Sequence, residues 1–410
     1  MTLPDIKKEI QKYQYFDDTS VIDFSVATVI ANRLKLTDPV WAVVIGASSG
    51  GKSQILRPIA EANKDFIKRV DDLTENTLLS GAKSKEGNTS LLKNKDGSNW
   101  AQGMLAISDL TVLMSKSGES RATILSQFRM LFDGEMTKYS GNLTEPLKWS
   151  GYLGVIAGST PSIYATFEEV ADMGERFIYY RMKEFDAKKA THLALNRDIF
   201  GKELDGLLAD LYREYIEEVV KSHVDVHVEL DESVVQRIIQ VATFAETVRT
   251  ASHKEWNGDI DRLPVPAYPM RVALQLTAIA KALAIMRHAD TGSYELGERE
   301  LAIIDWTGYS LANEEKRACL HILAEQDFEH AVTTSTIADR VGLKSEIIQT
   351  ILQNLSAVGV VVRGGGGGMD SMSWSFKNKD DYAVVRRIES VTVTDNIESR
   401  DATVEEDVEF

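Results

Sequence analysis

The feature that most constrains the fold is a glycine-rich turn between an apolar run and a helical segment. Residues 40–45 read VWAVVI, a β-branched and aromatic run typical of a buried parallel strand. Residues 46–53, GASSGGKS, fit the pattern G-x-x-x-x-G-K-[ST], and a helix is expected after them. Glycines let such a turn direct backbone N–H groups at phosphate oxygens, which the helix start also attracts. The junction therefore predicts a triphosphate site; the alternative is a Gly/Ser-rich turn without a ligand.

Six residues of this junction are the predicted nucleotide ligands. Lys52 is expected to reach the β- and γ-phosphates of ATP, and Ser53 to ligate Mg²⁺. The full set is Gly46, Ser49, Gly50, Gly51, Lys52 and Ser53.

A phosphate-binding loop of this kind also needs an acid at the end of a neighbouring strand to hold Mg²⁺. The segment MLAISDL supplies Asp109 after four largely apolar residues. The next residue is Leu110, where most such ATPases have a Glu that polarises the attacking water. Either Asp109 takes that Glu position, with Ser108 in the Asp position, or a Glu from elsewhere acts. Glu119 and Glu135 are the nearest candidates.

Strand-like and helix-like segments alternate over residues 41–185, which predicts an α/β domain with a parallel sheet. Residues 1–40 have near-helical apolar spacing. After about residue 186 the periodicity is helical. From residue 313 three helices and a β-hairpin follow one another, which is the order of a winged helix, and residues 336–363 resemble its helix-turn-helix half.

Three further segments, in this order along the chain, carry a family resemblance. They are VIAGSTP (155–161), MGERFIYYR (173–181) and YPMRVALQLTAIAKAL (268–283). With the glycine-rich turn they resemble the AAA+ ATPases, and among these the minichromosome-maintenance-like replicative helicases, most closely the compact forms of phages and mobile elements. The resemblance covers roughly residues 40–375 and lacks the N-terminal collar of the cellular helicases.

The resemblance assigns roles to three residues. Thr160 matches the sensor 1 position, where an Asn is usual. Arg176 matches an arginine that acts across a subunit interface, and Arg271 matches the sensor 2 arginine of the lid helix. Guanidinium groups suit these roles because phosphoryl transfer spreads negative charge over the γ-phosphate oxygens. The alternatives are a strand-edge salt bridge for Arg176 and a solvent-exposed helix terminus for Arg271.

Two lysine-containing segments are candidates for contact with DNA phosphates. One lies between the second strand and the Asp109 strand; the other precedes the Thr160 strand, where the resemblance implies a pore hairpin. The alternative for each is a solvated loop. Their lysines are Lys83, Lys85, Lys93 and Lys95 in the first segment, and Lys138 and Lys148 in the second.

Composition limits the function classes. The formal net charge of −16 argues against coating nucleic acid by bulk attraction, but allows local basic loops. The residues from Val391 onward carry seven acids and one arginine and end in Phe410, which suits either a partner-docking tip or a solubilising tail. One cysteine, a polar N-terminus and no long apolar run predict a cytoplasmic protein outside membranes.

The resemblance implies an ATP-dependent, ring-forming DNA helicase of a phage or mobile element, a hexamer in the manner of that family, which acts on single-stranded or forked DNA in the cytoplasm of a bacterial host. The alternative is an ATP-controlled DNA-binding switch, such as a helicase loader, initiator or regulator, that uses the winged helix. The predicted segments are an N-terminal helical segment (1–40), an ATPase core (41–185), a helical lid (186–312), a winged helix (313–388) and an acidic tail (389–410).

Overall fold

The computed structural model describes residues 1–80, 83–84, 87–139, 145–165, 176–250, 264–365 and 372–388, with the backbone alone at 83–84 and 87–88. The acidic tail, Lys85 and most of the glycine run at 364–368 lie outside the described residues. In chain order the elements are α1 (Leu3–Gln11), α2 (Ser20–Leu34), β1 (Trp41–Ile45), α3 (Lys52–Ala62), β2 (Ile67–Val70), β3 (Lys83–Ser84), β4 (Gly87–Asn88), β5 (Gln102–Ile107), α4 (Leu110–Met114), α5 (Gly118–Phe132), β6 (Glu135–Lys138), β7 (Leu147–Ser150), β8 (Tyr152–Ser159), β9 (Ile178–Arg181), α6 (Ala187–Asn196), α7 (Gly201–His223), α8 (Glu232–Arg249), α9 (Met270–Thr291), α10 (Glu298–Tyr309), α11 (Glu314–Ala324), β10 (Val332–Thr333), α12 (Thr334–Val341), α13 (Ser345–Ala357), β11 (Val361–Arg363), β12 (Ser373–Phe376) and a helix over 379–388.

A five-stranded parallel sheet is the centre of the first half of the chain, as the alternating pattern predicts. Its spatial order is β2-β5-β8-β1-β9. The chain leaves β1 toward the β2 edge, returns through β5 and β8, and then crosses β1 to reach β9. Connections after β1 and β8 therefore run in opposite directions along the sheet. The crevice outside the carboxyl ends of two such strands is where open α/β sheets bind ligands.

Helices cover both faces of this sheet because its strands are apolar on both sides. On one face Trp41 packs against Phe128 and Phe132 of α5, with ring centroids 5.5 and 5.4 Å apart. On the other face Phe24 of α2 stacks on Tyr180 of β9 at 4.6 Å. The fully buried β1 is thus held between two helical layers.

The N-terminal helices belong to the same compact unit as the sheet. The side-chain amide of Asn32 in α2 bonds both the N–H and the carbonyl of Val40, each at 3.0 Å, and so fixes the start of β1. Lys7 of α1 forms a buried ion pair with Asp23 of α2. Residues 1–40 are therefore part of the sheet unit's core.

The chain divides into two compact units. The first contains the described residues within Met1–Val170, Glu175–Leu230 and Leu274–Leu296; the second contains those within Asp231–Ala273 and Gly297–Phe410. The five predicted segments do not coincide with these units, since the predicted lid is shared between them. Helical periodicity shows that a segment is a helix, but not which neighbours its apolar side will meet.

The second unit joins α8 and α10 to the C-terminal elements. Its small sheet has the order β10-β12-β11, with antiparallel pairs. The carboxylate of Asp305, 1 % exposed, accepts hydrogen bonds from Arg237 of α8 at 2.6 Å and from Arg387 of the 379–388 helix at 3.0 Å. The three helices and the hairpin predicted over 313–377 are present, and the two-residue strand β10 precedes the second helix.

Candidate functional site

The glycine-rich turn lies at the carboxyl end of β1, beside the end of β8. The N–H of Gly46 donates to the carbonyl of Ser159 at 3.1 Å, which fixes the turn against β8. The turn then folds back, with the N–H of Gly50 donating to the carbonyl of Ala47 at 3.0 Å. Ser49 has a φ of 62°, one of two positive values outside glycine among the described residues. Such backbone conformations are uncommon and concentrate at functional sites.

Helix α3 begins at Lys52 without a side-chain cap. Its N-cap residue is Gly51, in the left-handed region at φ 82°, and no side chain accepts from the first turn. A Cβ at Gly51 would lie 3.3 Å from the ring of Phe16, so a glycine also fits the space. The N-terminal N–H groups of a helix need acceptors and favour anions. The start of α3 therefore offers donors to an anion in front of it.

Lys52 lies across the turn. Its Nζ donates to the carbonyls of Gly46 at 2.8 Å and Ala47 at 2.7 Å. Burial lowers the pKa of the Lys52 ammonium from its usual value, and the nearby carboxylate of Asp109 opposes this shift. The ammonium is thus held at the turn, bonded to neutral carbonyl oxygens.

The end of β5 places Ser108 rather than an acid beside Ser53 of the glycine-rich turn. Ser53 and Ser108 line one cleft, which also borders Arg57 and Arg69. The hydroxyl of Ser108 donates to the carboxylate of Asp71, the residue after β2. Sequence reasoning missed Asp71, because only the pairing of β2 with β5 brings it to this edge.

Asp109 caps the short helix α4. Its carboxylate accepts from the N–H of Thr111 at 2.9 Å. That Ser108 takes the Asp position and Asp109 the Glu position stays a prediction, and of these two residues Ser108 is the one that lines the cleft with Ser53. Of the two Glu alternatives, Glu119 lies in the first turn of α5 and Glu135 in β6, and both are exposed.

Thr160 belongs to a group of hydroxyls at the end of β8. The Thr111 hydroxyl lies 3.1 Å from the Ser159 hydroxyl and 3.3 Å from that of Thr160. The Thr160 hydroxyl is also 2.7 Å from that of Ser162. Thr111, two residues after Asp109, is a site residue that sequence reasoning missed. The sequence signal that points to Thr111 is its position two residues after an Asp at the end of a strand.

Arg176 and Arg271, the two arginines of the resemblance, have different surroundings, and Arg181 is a further basic candidate to which the resemblance assigns no role. Arg176 is 8 % exposed and pairs with Asp133 at 3.3 Å within the same chain. Arg181 ends β9 and is paired with Ile45 of β1. Arg271 is exposed in the first turn of α9. The salt bridge named as the alternative for Arg176 is present, and its action across a subunit interface stays a prediction.

The candidate DNA lysines also separate into groups. Lys93 donates to Asn99 at 2.5 Å, and Lys138 to the Glu75 carbonyl at 2.9 Å, so both brace the fold. Lys95 and Lys148 are exposed. Lys83 lies in β3 without a described side chain, and Lys85 is outside the described residues.

The predicted pore hairpin is a two-stranded antiparallel sheet of β6 and β7, in which Thr137 pairs with Lys148. Tyr139, directly after β6, is 81 % exposed. Lysine content alone does not point to this exposed aromatic ring, although it follows Lys138 in sequence. An aromatic ring near a lysine can stack a base while the ammonium meets a phosphate.

In the C-terminal elements Lys344 and Arg363 are exposed, whereas Arg340 is held by the Glu325 carboxylate at 2.5 Å.

In the described part of the chain, no helix is both long and apolar enough to cross a membrane. The same residues contain no group of three or more His, Cys, Asp or Glu side chains arranged to hold a metal ion. Comparisons with protein-family models and with curated protein sequences gave no match for this chain.

Proposed function

We propose that this protein is an ATP-driven, ring-forming motor of the AAA+ class that acts on DNA, in the manner of the replicative helicases its sequence resembles. The observation that carries the proposal is the sheet order: the lysine-bearing turn ends β1, and β8 alone separates β1 from β5, which carries Ser108 and Asp109 at its end. The glycine-rich turn, Asp109 and the Thr160 hydroxyl therefore lie at the same edge of the sheet, outside the carboxyl ends of its strands. Open α/β sheets bind ligands at this edge.

Nucleotide binding would use groups that are already in position. The triphosphate would sit against the uncapped start of α3, and the Lys52 ammonium would exchange the carbonyls of Gly46 and Ala47 for phosphate oxygens. Ser53 would be a ligand of Mg²⁺, together with an acid of this edge, for which the sequence points to Asp109. Magnesium supplies charge neutralisation of the β- and γ-oxygens during phosphoryl transfer.

Hydrolysis would depend on residues around the γ-phosphate position. Thr160, held by Thr111, would contact the γ-phosphate or the attacking water. Arg176 would leave Asp133 when a neighbouring copy docks, and Arg271 would act from the lid. A residue supplied by a neighbour requires a homo-oligomer, and we propose a hexamer because the sequence resembles hexameric helicases.

DNA contact is proposed for the two lysine-containing segments, because the net negative charge of the chain argues against binding by bulk attraction. Lys95, Lys148 and Tyr139 are exposed in these regions, which suits contact with single-stranded DNA. The order helix, strand, helix, helix, strand, strand over 314–376 supports a winged helix. The acidic tail would dock a replication partner, and the proposed compartment is the cytoplasm of a bacterial host.

A second candidate function is an ATP-controlled DNA-binding switch. Two observations favour it: Asp109 is occupied by the N–H of Thr111, and Arg176 is paired within its own chain. A site in which both groups are engaged would hydrolyse ATP slowly and change state on binding. The winged helix would then find the DNA.

One experiment separates the two candidates. ATP hydrolysis and strand displacement are measured on forked DNA for the wild type, Lys52→Ala and Lys64→Ala, the last changing an exposed lysine just beyond α3. The motor predicts DNA-stimulated hydrolysis and unwinding that Lys52→Ala abolishes and Lys64→Ala retains. Slow hydrolysis without unwinding, with duplex binding that follows ATP, would favour the switch.

A further inference from the structure

In the part of the candidate site that is expected to hold Mg²⁺, the residue directly after β5 is a serine and not an acid. Ser108, the residue directly after β5, lines a cleft together with Ser53, and a hydroxyl alone is a weak anchor for a divalent cation. Asp109, one residue later, is turned to the start of α4, where it accepts from the N–H of Thr111. The edge nevertheless contains a second carboxylate.

That carboxylate belongs to Asp71. In the parallel pairing of β2 with β5, Val70 lies opposite Ile107, so Asp71 and Ser108 leave the sheet side by side. The Ser108 hydroxyl donates to one carboxylate oxygen of Asp71, while 68 % of the Asp71 side chain is exposed. The nearest described cation is Arg69, whose guanidinium lies 3.7 Å from the other oxygen.

The donor set suits magnesium. Mg²⁺ prefers oxygen ligands, keeps several of its waters, and is often held by only one or two carboxylates besides substrate phosphates. The described edge offers the Ser53 hydroxyl, the Ser108 hydroxyl and the exposed Asp71 carboxylate. Residues that orient a metal ligand through a hydrogen bond commonly change metal affinity 10–100-fold when replaced.

We propose that Asp71, acting through Ser108, is the positioning carboxylate for the Mg²⁺ that accompanies the nucleotide. This inference rests on the proposed nucleotide site. It assigns the acidic residue that supports Mg²⁺ to the end of β2, one strand away from the end of β5 where it is expected. That role then belongs to Asp71 and not to Asp109.

Nucleotide affinity with and without magnesium tests the assignment without relying on turnover. A fluorescent ATP analogue is titrated into the full chain in Mg²⁺ and in EDTA. The variants are Asp71→Asn, Ser108→Ala and Asp109→Asn. The control is Asp65→Asn, which changes an exposed acid just before the start of β2. We expect Asp71→Asn and Ser108→Ala to reduce the gain in affinity caused by Mg²⁺ by roughly tenfold or more, with the affinity in EDTA unchanged.

A restoring variant makes the test independent of folding defects. Ser108→Asp combined with Asp71→Asn places a carboxylate directly beside Ser53, and is expected to regain the magnesium effect. A full magnesium effect in Asp71→Asn, or its loss in Asp109→Asn alone, would overturn the metal assignment while leaving the nucleotide site intact. If the wild type binds no nucleotide, the proposed function itself fails.

Discussion

At the scale of single residues, the site is defined by hydrogen bonds that link positions distant in sequence. Thr111 shows this most clearly, since its hydroxyl lies within 3.3 Å of the hydroxyl of Thr160 and 3.1 Å of that of Ser159. The motif pattern locates Lys52 and Ser53, because a local turn and helix create their environment. It does not locate Thr111 or Asp71, whose partners are set by strand pairing.

Thr111→Val is the residue-scale prediction. The change removes the hydroxyl that holds Thr160 but keeps the shape of the side chain, so Thr160 loses its orientation. We expect kcat for ATP hydrolysis to fall roughly 10- to 100-fold with little change in nucleotide affinity, since small misplacements at a reacting centre cost rate more than binding. Thr243→Val, on the exposed side of α8, is the control. Unchanged kcat in Thr111→Val would show that Thr160 needs no such partner.

At the scale of elements, β1, β5 and β8 could be predicted because each is a short, mainly apolar run between turn residues, whereas β2 reads IKRV and has a weaker pattern. The helices α10 and α6 and the strand β10 were not singled out. β10 has only two residues, too few for any periodicity, and exists because Val332 pairs with Trp374 of β12. The predicted N-terminal segment was correctly helical, but its burial against the sheet depends on contacts that no local pattern contains.

The docking of α1 can be tested through its buried ion pair. Asp23→Ala leaves the Lys7 ammonium, whose side chain is 7 % exposed, without its main counter-charge. We expect the free energy of unfolding to fall by about 3–5 kcal/mol, as for other broken buried pairs. Lys12→Ala breaks an exposed pair on the same helix and should cost under about 1 kcal/mol. Urea unfolding measures both, and equal losses would contradict the account.

The β6–β7 hairpin carries a prediction about nucleic acid. Tyr139→Ala removes an 81 % exposed ring, and base stacking on such a ring contributes about 1–3 kcal/mol. Affinity for single-stranded DNA should therefore weaken roughly 5- to 150-fold, as measured by fluorescence anisotropy. Leu195→Ala, which removes a 77 % exposed apolar side chain from α6, should have no effect. Equal affinity of both variants would place the DNA elsewhere.

At the scale of the whole molecule, composition and periodicity predicted the α/β class but not the division into two units. The described C-terminal half is held together by ionic contacts such as Asp305 with Arg237, which join helices far apart in sequence. The buried carboxyl group of Asp381, in the same half, also predicts a pH dependence. Burial raises the pKa of Asp381 to about 6, with Asn378 opposing the shift.

Because the Asp381 pKa is higher in the folded chain than its ordinary value of 3.8, the folded state binds more protons between these pH values. Its stabilising effect is complete below about pH 4 and is lost as pH rises through about 6. A two-unit shift corresponds to about 3 kcal/mol. Asp381→Asn should flatten the pH dependence of urea unfolding between pH 4 and 7, and an unchanged slope would contradict the shift.

The central claim is that triphosphate binds where β1 meets α3. Cryo-electron microscopy of the full chain with Mg²⁺, a non-hydrolysable ATP analogue and forked DNA tests it most directly. The account predicts phosphates in contact with residues 46–53, the Lys52 ammonium moved from the Gly46 and Ala47 carbonyls onto them, and several copies arranged around the DNA. Analogue bound elsewhere, with Lys52 still on its carbonyls, would contradict it.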